Sequence, residues 1–255
     1  MSTGTPEQQG TDLHQLLGLS PSSPQLAAFL SHLEPRARSP PAPPPQVKAY
    51  SDIVYLNYRH IGLSLSFEPL KPFRPTSSLT LDDLRRQADN GHLKCIGVDL
   101  YNHDDAARAP ADPDKKNKAP RQRAEDRWEP FPAYPVLLPP SSSSSSSSSP
   151  PALPSTTSAA PAPADAPPAL SPQPHLPFAL EPSTTGAALL SHFGEPSRKG
   201  GGSSSTPGVG IWTEWTDRGV MLEWASSGLG AWDKGGESTW RCLSVFEPGK
   251  APGGA

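Results

Sequence analysis

The sequence predicts an α+β domain built on a mostly antiparallel sheet of six or seven strands with a few short helices. Several runs alternate apolar and polar residues with the period of a strand, most clearly residues 61–67. Five of the six tryptophans lie between Trp212 and Trp240, in another alternating segment. The chain shows no strand–helix–strand rhythm, so a parallel sheet is not expected.

The composition limits the folded part of the chain to one domain. The sequence has 35 prolines and 21 glycines among 255 residues, and long serine runs, which cannot bury enough surface to offset the entropy of ordering. Without such stretches roughly 150 residues remain, the size of one ordinary domain. The predicted layout is a helical hairpin at 1–34, a proline-rich linker at 35–47, one domain at 48–248 with disordered insertions at 103–127, 139–175 and 197–207, and a disordered tail at 249–255.

Charge and cysteine usage indicate an intracellular protein. The formal charge of −3 provides no broad basic field to attract nucleic acid. Cys95 and Cys242 lie in apolar strand-like runs, which favours buried thiols in a reducing compartment. Residues 1–10 lack the apolar core of a signal peptide, and no run approaches a membrane span. We therefore expect a soluble cytoplasmic protein without membrane attachment, with a nuclear location as the alternative.

The N-terminal region predicts a small amphipathic helical hairpin. Thr11 and Asp12 can cap a first helix, and Ser23 with Pro24 opens a second one. We expect the apolar stripe of the hairpin to pack on the main domain, with docking to a separate partner as the alternative.

The proline-rich linker has two interpretations. Arg38, Pro41 and Pro44 have the spacing of a polyproline II ligand for an aromatic groove. A stiff tether needs the same composition, so we favour a spacer and keep these residues as a possible docking motif.

The remaining elements follow from alternation, caps and turn residues. The strand at 93–101 should direct Ile96, Val98 and Leu100 to the core. In chain order, the predicted elements are strands at 50–58 and 61–67 with a turn at Arg59 and His60, a helix from Thr80 to Asn90, strands at 93–101 and 131–138, a helix from Thr184 or Thr185 to Gly194, a hairpin of 209–216 and 220–225, and a strand at 239–246.

The most site-like segment is the glycine-rich loop after Gly194, which carries Arg198 and Lys199. Its two cations beside glycines suggest a phosphate cradle. Anion-binding loops usually lead into a helix N-terminus, however, and this one follows a helix C-terminus. We therefore favour a flexible connector and retain Arg198 and Lys199 as candidate binding residues.

The tryptophan cluster could be a core or an aromatic platform for a ligand. By strand parity, Trp215 and Trp224 belong with the apolar residues of their strands, so both should lie in the core. Trp212 shares parity with Glu214, and Trp232 lies in a glycine-bounded loop. These two tryptophans should be exposed and are candidate binding residues.

No catalytic or metal site is evident. The possible acids and bases are spread over different strands and turns, with Glu214 and Glu223 across one hairpin and His60 as a surface residue of a turn. None of the seven histidines pairs with a cysteine at zinc spacing, so no metal and no cofactor are expected. The basic run from Lys115 to Arg123 is interpreted as a solvated loop, with nuclear import or phosphate binding as alternatives.

Several short motifs resemble those of a group of uncharacterised fungal proteins and, more faintly, of some small bacterial ones. The matching runs are SDIVYLNY at 51–58, GLSLSF at 62–67, DLYN at 99–102, FGEP at 193–196 and GIW at 210–212. The resemblance implies a shared fold with a tryptophan hairpin. The group has no assigned activity, so no catalytic residue is implied.

Three functional hypotheses follow. The leading one is a non-enzymatic protein-interaction or scaffold module that binds unknown protein partners. The alternative is a small-molecule, phosphate or sugar-binding domain, or a hydrolase, that uses the Arg198 and Lys199 loop with an exposed tryptophan. The third is a nuclear factor whose basic run contacts nucleic acid, which the overall charge disfavours.

Overall fold

The computed structural model describes residues 10–37, 42–102, 128–140, 176–201, 210–227 and 230–250. These residues form an α+β fold with one large antiparallel sheet, one small sheet and three short helices. The helices are α1 (Pro24–Leu33), α2 (Leu81–Asp89) and α3 (Gly186–Phe193).

The large sheet has eight strands, more than the six or seven predicted. They are β2 (Gln46–Ala49), β3 (Val54–Tyr58), β4 (Leu63–Pro69), β5 (Leu93–Tyr101), β8 (Arg198–Gly200), β9 (Gly210–Trp215), β10 (Val220–Ser227) and β11 (Trp240–Phe246). Their order across the sheet is β2-β3-β4-β5-β11-β10-β9-β8, with every neighbouring pair antiparallel. The small sheet contains β1 (Thr11–Asp12), β6 (Val136–Leu138) and β7 (Phe178–Leu180).

One face of the large sheet carries the core. Alternate residues of β3 and β4, including Leu56, Leu65 and Phe67, are buried there. Leu33 of α1, Leu84 of α2 and Leu189 of α3 belong to the same cluster. The opposite face is mainly polar and includes Asn57, Ser64, Asp99, Ser244 and Glu214.

The N-terminal region packs on the domain, although it is not a helical hairpin. Ser23 caps α1 by accepting a hydrogen bond from the Leu26 N–H at 3.2 Å. The first predicted helix is only a 3-10 turn at His14–Leu16, because Thr11 pairs with β6 in the small sheet. Leu13 and Leu16 are nevertheless buried in the common core.

The two halves of the large sheet repeat one arrangement. α1, β2, the β3–β4 hairpin and β5 follow the same order as α3, β8, the β9–β10 hairpin and β11. Each hairpin turns through a 3-10 turn that ends at a left-handed glycine, Gly62 (φ 57°) or Gly219 (φ 63°). The halves are therefore related by an approximate two-fold axis between β5 and β11.

The repeat differs in one connection. α2 joins β4 to β5, whereas the described residues between β10 and β11 form turns at 230–237. Within the described residues, the second half therefore has no helix in the place where α2 covers the core of the first half.

Several predicted boundaries agree with the structure. Thr80 and Asp83 form a reciprocal capping box at the start of α2, and Thr185 precedes α3. Gly194 follows α3 with φ 74°, as expected for the end of a helix.

Other predictions need correction. Only residues 54–58 of the strand predicted at 50–58 form a strand, β3, whereas residues 50–53 connect it to β2. The strand predicted at 131–138 is reduced to Val136–Leu138. Ile96 is only half-buried because a bulge opposite Ser66 and Phe67 shifts the register by one residue, so Leu93 and Cys95 share the core face with Val98 and Leu100.

Some sequence predictions fall outside the described residues. These are the insertion at 103–127 with its basic run, most of the insertion at 139–175, residues 202–207 of the predicted connector, and most of the tail at 249–255. Arg38 and Pro41 of the possible docking motif also lie outside, whereas Pro44 is described and exposed.

Candidate functional site

A narrow pocket lies between the β9–β10 hairpin, the end of α3 and the turns after β10. Its cavity volume is about 170 Å³. Three tryptophans line it, Trp215 and Trp224 from the hairpin and Trp232 from the turns. Trp215 and Trp224 are almost fully buried and form its deep part, whereas Trp232 is 44% exposed.

All three indole N–H groups that line the pocket are bonded within the protein. Trp215 donates to the Gly194 carbonyl at 3.1 Å, and Trp224 donates to the Thr213 hydroxyl at 3.0 Å. Trp232 donates to the Gly201 carbonyl at 3.3 Å. The tryptophans therefore offer a ligand their apolar ring surfaces rather than hydrogen-bond donors.

Strand register positions the remaining wall residues. Ile211, Thr213 and Trp215 alternate along β9 and face the pocket side together. Lys199 of β8 lies opposite Thr213, so its side chain comes to the same face. Hydrogen bonds from Gly186 and Ala187 at the start of α3 to the carbonyls of Ser238 and Gly236 hold α3 against the turns.

The rim of the pocket combines apolar and charged groups. Leu190 of α3 is 41% exposed and lines the pocket together with Trp232. Lys199 and Glu195 form an exposed ion pair at 2.7 Å. Because both partners are exposed, this pair adds little stability and can rearrange at little cost when a ligand approaches.

The position of the pocket follows from the difference between the two halves of the fold. In the first half, α2 places Leu84 and Ala88 in the core from the connection between β4 and β5. In the second half the corresponding connection contributes Trp232 and two glycines to the pocket wall. A shallow turn thus replaces an amphipathic helix, and space remains above Trp215 and Trp224.

The four candidate binding residues from the sequence separate into two places. Lys199 and Trp232 line the pocket, as described. Arg198 and Trp212 lie on the opposite face of the sheet, where the Arg198 guanidinium is 5.8 Å from the centre of the Trp212 ring. They interact with each other and contribute nothing to the pocket.

Arg198 and Lys199 are not part of a flexible connector, contrary to the prediction. They belong to β8, an edge strand paired with β9. Arg198 donates to Glu214, which is only 1% exposed, at 3.3 Å, and Thr216 donates to the same carboxylate at 2.6 Å. The role of Arg198 is therefore to pair with a buried carboxylate.

The other acids and bases do not form a catalytic group. Glu214 and Glu223 do not lie opposite each other, because Glu214 pairs with Met221 and Glu223 pairs with Trp212 across the hairpin. The Glu223 carboxylate forms an ion pair with Arg241 at 3.5 Å. His60 is 8% exposed, which corrects its prediction as a surface residue. Among the described residues, no cluster of histidine, cysteine and carboxylate side chains could hold a metal ion.

Neither cysteine is an activated nucleophile. Burial raises the pKa of the Cys95 thiol to about 12. Burial also raises the pKa of Cys242 well above its usual value, and the nearby Asp99 carboxyl adds to the effect. Both side chains are therefore protonated thiols near neutral pH.

Comparison of the chain with models of protein families, with curated proteins and with solved structures gives no match. The resemblance to the fungal group stays an expectation.

None of the described helices has the length and apolar character required to cross a bilayer.

Sequence reasoning named Lys199 and Trp232 as binding residues and missed most of the other lining residues, among them Leu190, Glu195 and Thr213. The parity of Thr213 with Trp215 was a usable signal, because both alternate with Glu214 along one strand. Glu195 lies in the glycine-rich loop that the sequence marks as site-like. Leu190 carries no such signal, since only the packing of α3 against β9 and the turns brings it to the rim.

Proposed function

We propose that this chain is a non-enzymatic protein-interaction module that holds an apolar side chain of a partner protein in its tryptophan-lined pocket. The observation that carries the proposal is the internal bonding of all three indole N–H groups around an accessible cavity. A cavity walled by ring surfaces selects apolar groups, since a polar ligand would lose its hydration without gaining indole donors.

The size of the pocket favours one side chain over a whole small molecule. Pockets for drug-sized ligands usually measure about 300–1,000 Å³, and this one measures about 170 Å³. Burying one leucine-sized side chain gains about 1.5–3 kcal/mol, whereas even a dissociation constant of about 1 mM requires about 4 kcal/mol. Useful affinity therefore needs contacts beyond the cavity, which a protein partner provides.

The rim supplies such contacts. Leu190 and Trp232 are two of the five large hydrophobic side chains that are exposed in the described part of the chain, and both border this one pocket. Clustered exposed apolar residues indicate an interaction surface more strongly than single ones do. The Lys199–Glu195 pair beside them can orient a polar segment of the partner.

The ionisable groups at the pocket support binding rather than catalysis. Glu195 and Lys199 are the two charged residues that line it, and they are exposed and paired with each other. No histidine or cysteine is among the lining residues. General acid–base or nucleophilic catalysis needs a positioned base beside a second reacting group.

The test is a selection of short peptides from a display library on the full chain, followed by affinity measurements with variants. Trp232→Ala and Leu190→Ser should each weaken the selected peptides by roughly tenfold or more, because they remove central apolar contacts. Tyr50→Ala and Leu70→Ser are matched controls, since both residues are exposed and line no described pocket. Equal affinity for wild type, Trp232→Ala and Leu190→Ser would contradict the proposal.

A further inference from the structure

A second pocket, independent of the tryptophans, lies in the other half of the fold, beside the turn between β3 and β4. It is formed by the turn between β3 and β4, by residues 130–132 and by the end of the 3-10 turn after α1. Its volume is about 280 Å³, and its side-chain polar groups are those of Arg36 and His60. We infer that this pocket is a binding site for a small oxyanion of the phosphate class.

His60 is the first reason. The residue is 8% exposed, and its buried Nδ1 has no hydrogen-bond partner among the described residues. Buried polar atoms of folded proteins are almost always bonded, so an orphaned imidazole nitrogen beside a cavity calls for a ligand or water. The cavity could hold several waters, each occupying about 30 Å³ of liquid volume, and is therefore large enough for a tetrahedral oxyanion with an organic substituent.

Arg36 is the second reason. One of its Nη atoms donates to the His32 carbonyl at 2.6 Å, which fixes the guanidinium at the pocket. Other N–H groups of the guanidinium fork are left for a ligand and can bind two oxygens of one anion. The imidazole approaches from a different element, so a phosphate can use a third oxygen to accept from it.

The walls of the pocket are held in place without a ligand. The Glu129 N–H donates to the Arg59 carbonyl at 2.9 Å, and the Phe131 N–H donates to the Tyr101 carbonyl at 2.8 Å. The first bond fastens the segment before Pro130 to the β3–β4 turn, and the second fastens the segment after it to the end of β5. Binding therefore needs little ordering of the backbone.

Two charged residues near the pocket, Arg36 and Glu34, should affect the binding of an anion in opposite directions. No carboxylate lines the pocket, but the exposed Glu34 acts on His60. Burial lowers the pKa of His60 and outweighs the opposing effect of Glu34, so the neutral ring is favoured, and its Nδ1–H tautomer can donate to an anion. An anion should be attracted by Arg36 and repelled by Glu34.

The experiment measures binding of inorganic phosphate and of glycerol phosphate by titration calorimetry and phosphorus NMR, with acetate as a planar oxyanion. Arg36→Gln should weaken phosphate binding at least about tenfold, and Glu34→Gln should strengthen it about two- to threefold. Arg74→Gln, an exposed arginine outside the pocket, should change nothing. Circular dichroism verifies that each variant is folded.

Labelling of histidine side chains with nitrogen-15 locates the site. Phosphate should move the ring signals of His60 and leave those of His32 and His92 in place. Tighter binding of glycerol phosphate than of inorganic phosphate would identify the natural ligand as an organic phosphate. The inference is overturned if neither phosphate compound binds at tens of millimolar, if acetate binds more tightly than both, or if Arg36→Gln and Glu34→Gln change the affinity in the same direction. None of these outcomes depends on the tryptophan pocket.

Discussion

Ser244 donates its hydroxyl to Asp99 Oδ1 at 2.6 Å across β5 and β11, the two central strands of the sheet. Ser64 and Met221 are equivalent in the repeat, because each lies two residues after the turn glycine of its hairpin. Asp99 lies opposite Ser64 and Ser244 lies opposite Met221, so Asp99 and Ser244 are equivalent as well. The pair thus lies on the approximate two-fold axis and joins the two halves. Asp99 keeps some exposed surface, but its carboxyl group is enclosed by the neighbouring strands, and this burial raises its pKa while the Ser244 hydroxyl partly opposes the rise.

The raised pKa of Asp99 predicts a pH-dependent cost to stability. The pKa of Asp99 in the folded protein lies above the unfolded value of about 3.9, so the folded protein holds the proton more tightly than the unfolded chain does. The protonated carboxyl therefore favours folding at low pH, and this contribution to stability is lost as the pH rises through the folded pKa. Asp99→Asn should therefore gain in stability relative to wild type between pH 3 and pH 8. Urea unfolding at several pH values measures this difference, and a difference that stays constant with pH would contradict the assignment.

Removal of the Ser244 hydroxyl should have the opposite effect. Ser244→Ala leaves the Asp99 carboxylate without a donor that lowers its pKa, so the variant should lose about 1 kcal/mol at neutral pH and much less at pH 3. The same unfolding series measures it. An equal loss at both pH values would show that the hydroxyl acts through packing alone.

Alanine substitution of three left-handed glycines should reduce stability by different amounts. A Cβ on Gly219 would overlap the Phe246 carbonyl, and one on Gly62 would overlap the Glu129 carbonyl, whereas one on Gly91 meets nothing within 4 Å at a similar φ of 72°. Gly91→Ala should cost about 1 kcal/mol for the backbone conformation alone. Gly62→Ala and Gly219→Ala should each cost at least about 2 kcal/mol more, and equal costs at the three positions in chemical unfolding would refute the close approaches.

The Arg198–Glu214 pair predicts non-additive mutations. Arg198→Met leaves the buried Glu214 carboxylate without its cation and should cost about 1–2 kcal/mol, less than a fully buried pair because Arg198 is 52% exposed. The double variant with Glu214→Met should recover most of that loss. Lys199→Met, in the same strand but in an exposed pair, should change stability by less than about 0.5 kcal/mol. Additive losses for Arg198 and Glu214 would refute the coupling.

The buried thiols predict low reactivity in the folded state. Cys242 keeps partial exposure but has a raised pKa, as does Cys95. Iodoacetamide at pH 7.5 should label both residues at rates far below those of the unfolded chain, because alkylation requires the thiolate. Mass spectrometry after timed quenching measures these rates, and rapid labelling of native Cys242 would contradict the burial of its sulfur.

The sequence predicted the elements that carry strong local signals. The β5 strand, the Thr80 cap and the β9–β10 hairpin were recognisable because alternation, a capping side chain and a glycine turn act within a few residues. Strand parity also assigned Trp215 and Trp224 to buried positions, and the glycine-bounded loop assigned Trp232 to an exposed one. Trp212 was predicted to be exposed from its parity with Glu214, but it is half-buried and Glu214 itself is buried.

The features missed by sequence analysis depend on partners distant in the chain. β8 is a three-residue edge strand with two charged residues, and only its pairing with β9 defines it. The repeat was not recognised because its two halves have little sequence in common beyond the alternation of apolar and polar residues and the turn glycine. Equivalent positions carry different residues: Asn57 corresponds to Glu214, and Tyr58 corresponds to Trp215. The pocket in turn results from the missing counterpart of α2, which no local pattern reveals.

The most direct test of the tryptophan pocket uses blocked amino acids and nitrogen-15 labelled indoles. N-acetyl-leucinamide, titrated to about 50 mM, should shift the signals of Trp215, Trp224 and Trp232 and leave Trp212 unchanged, because the leucine side chain enters a cavity that Trp212 does not line. N-acetyl-asparaginamide, of nearly the same shape but polar, should leave all of them unchanged. Equal shifts with both compounds, or none with either, would contradict the account.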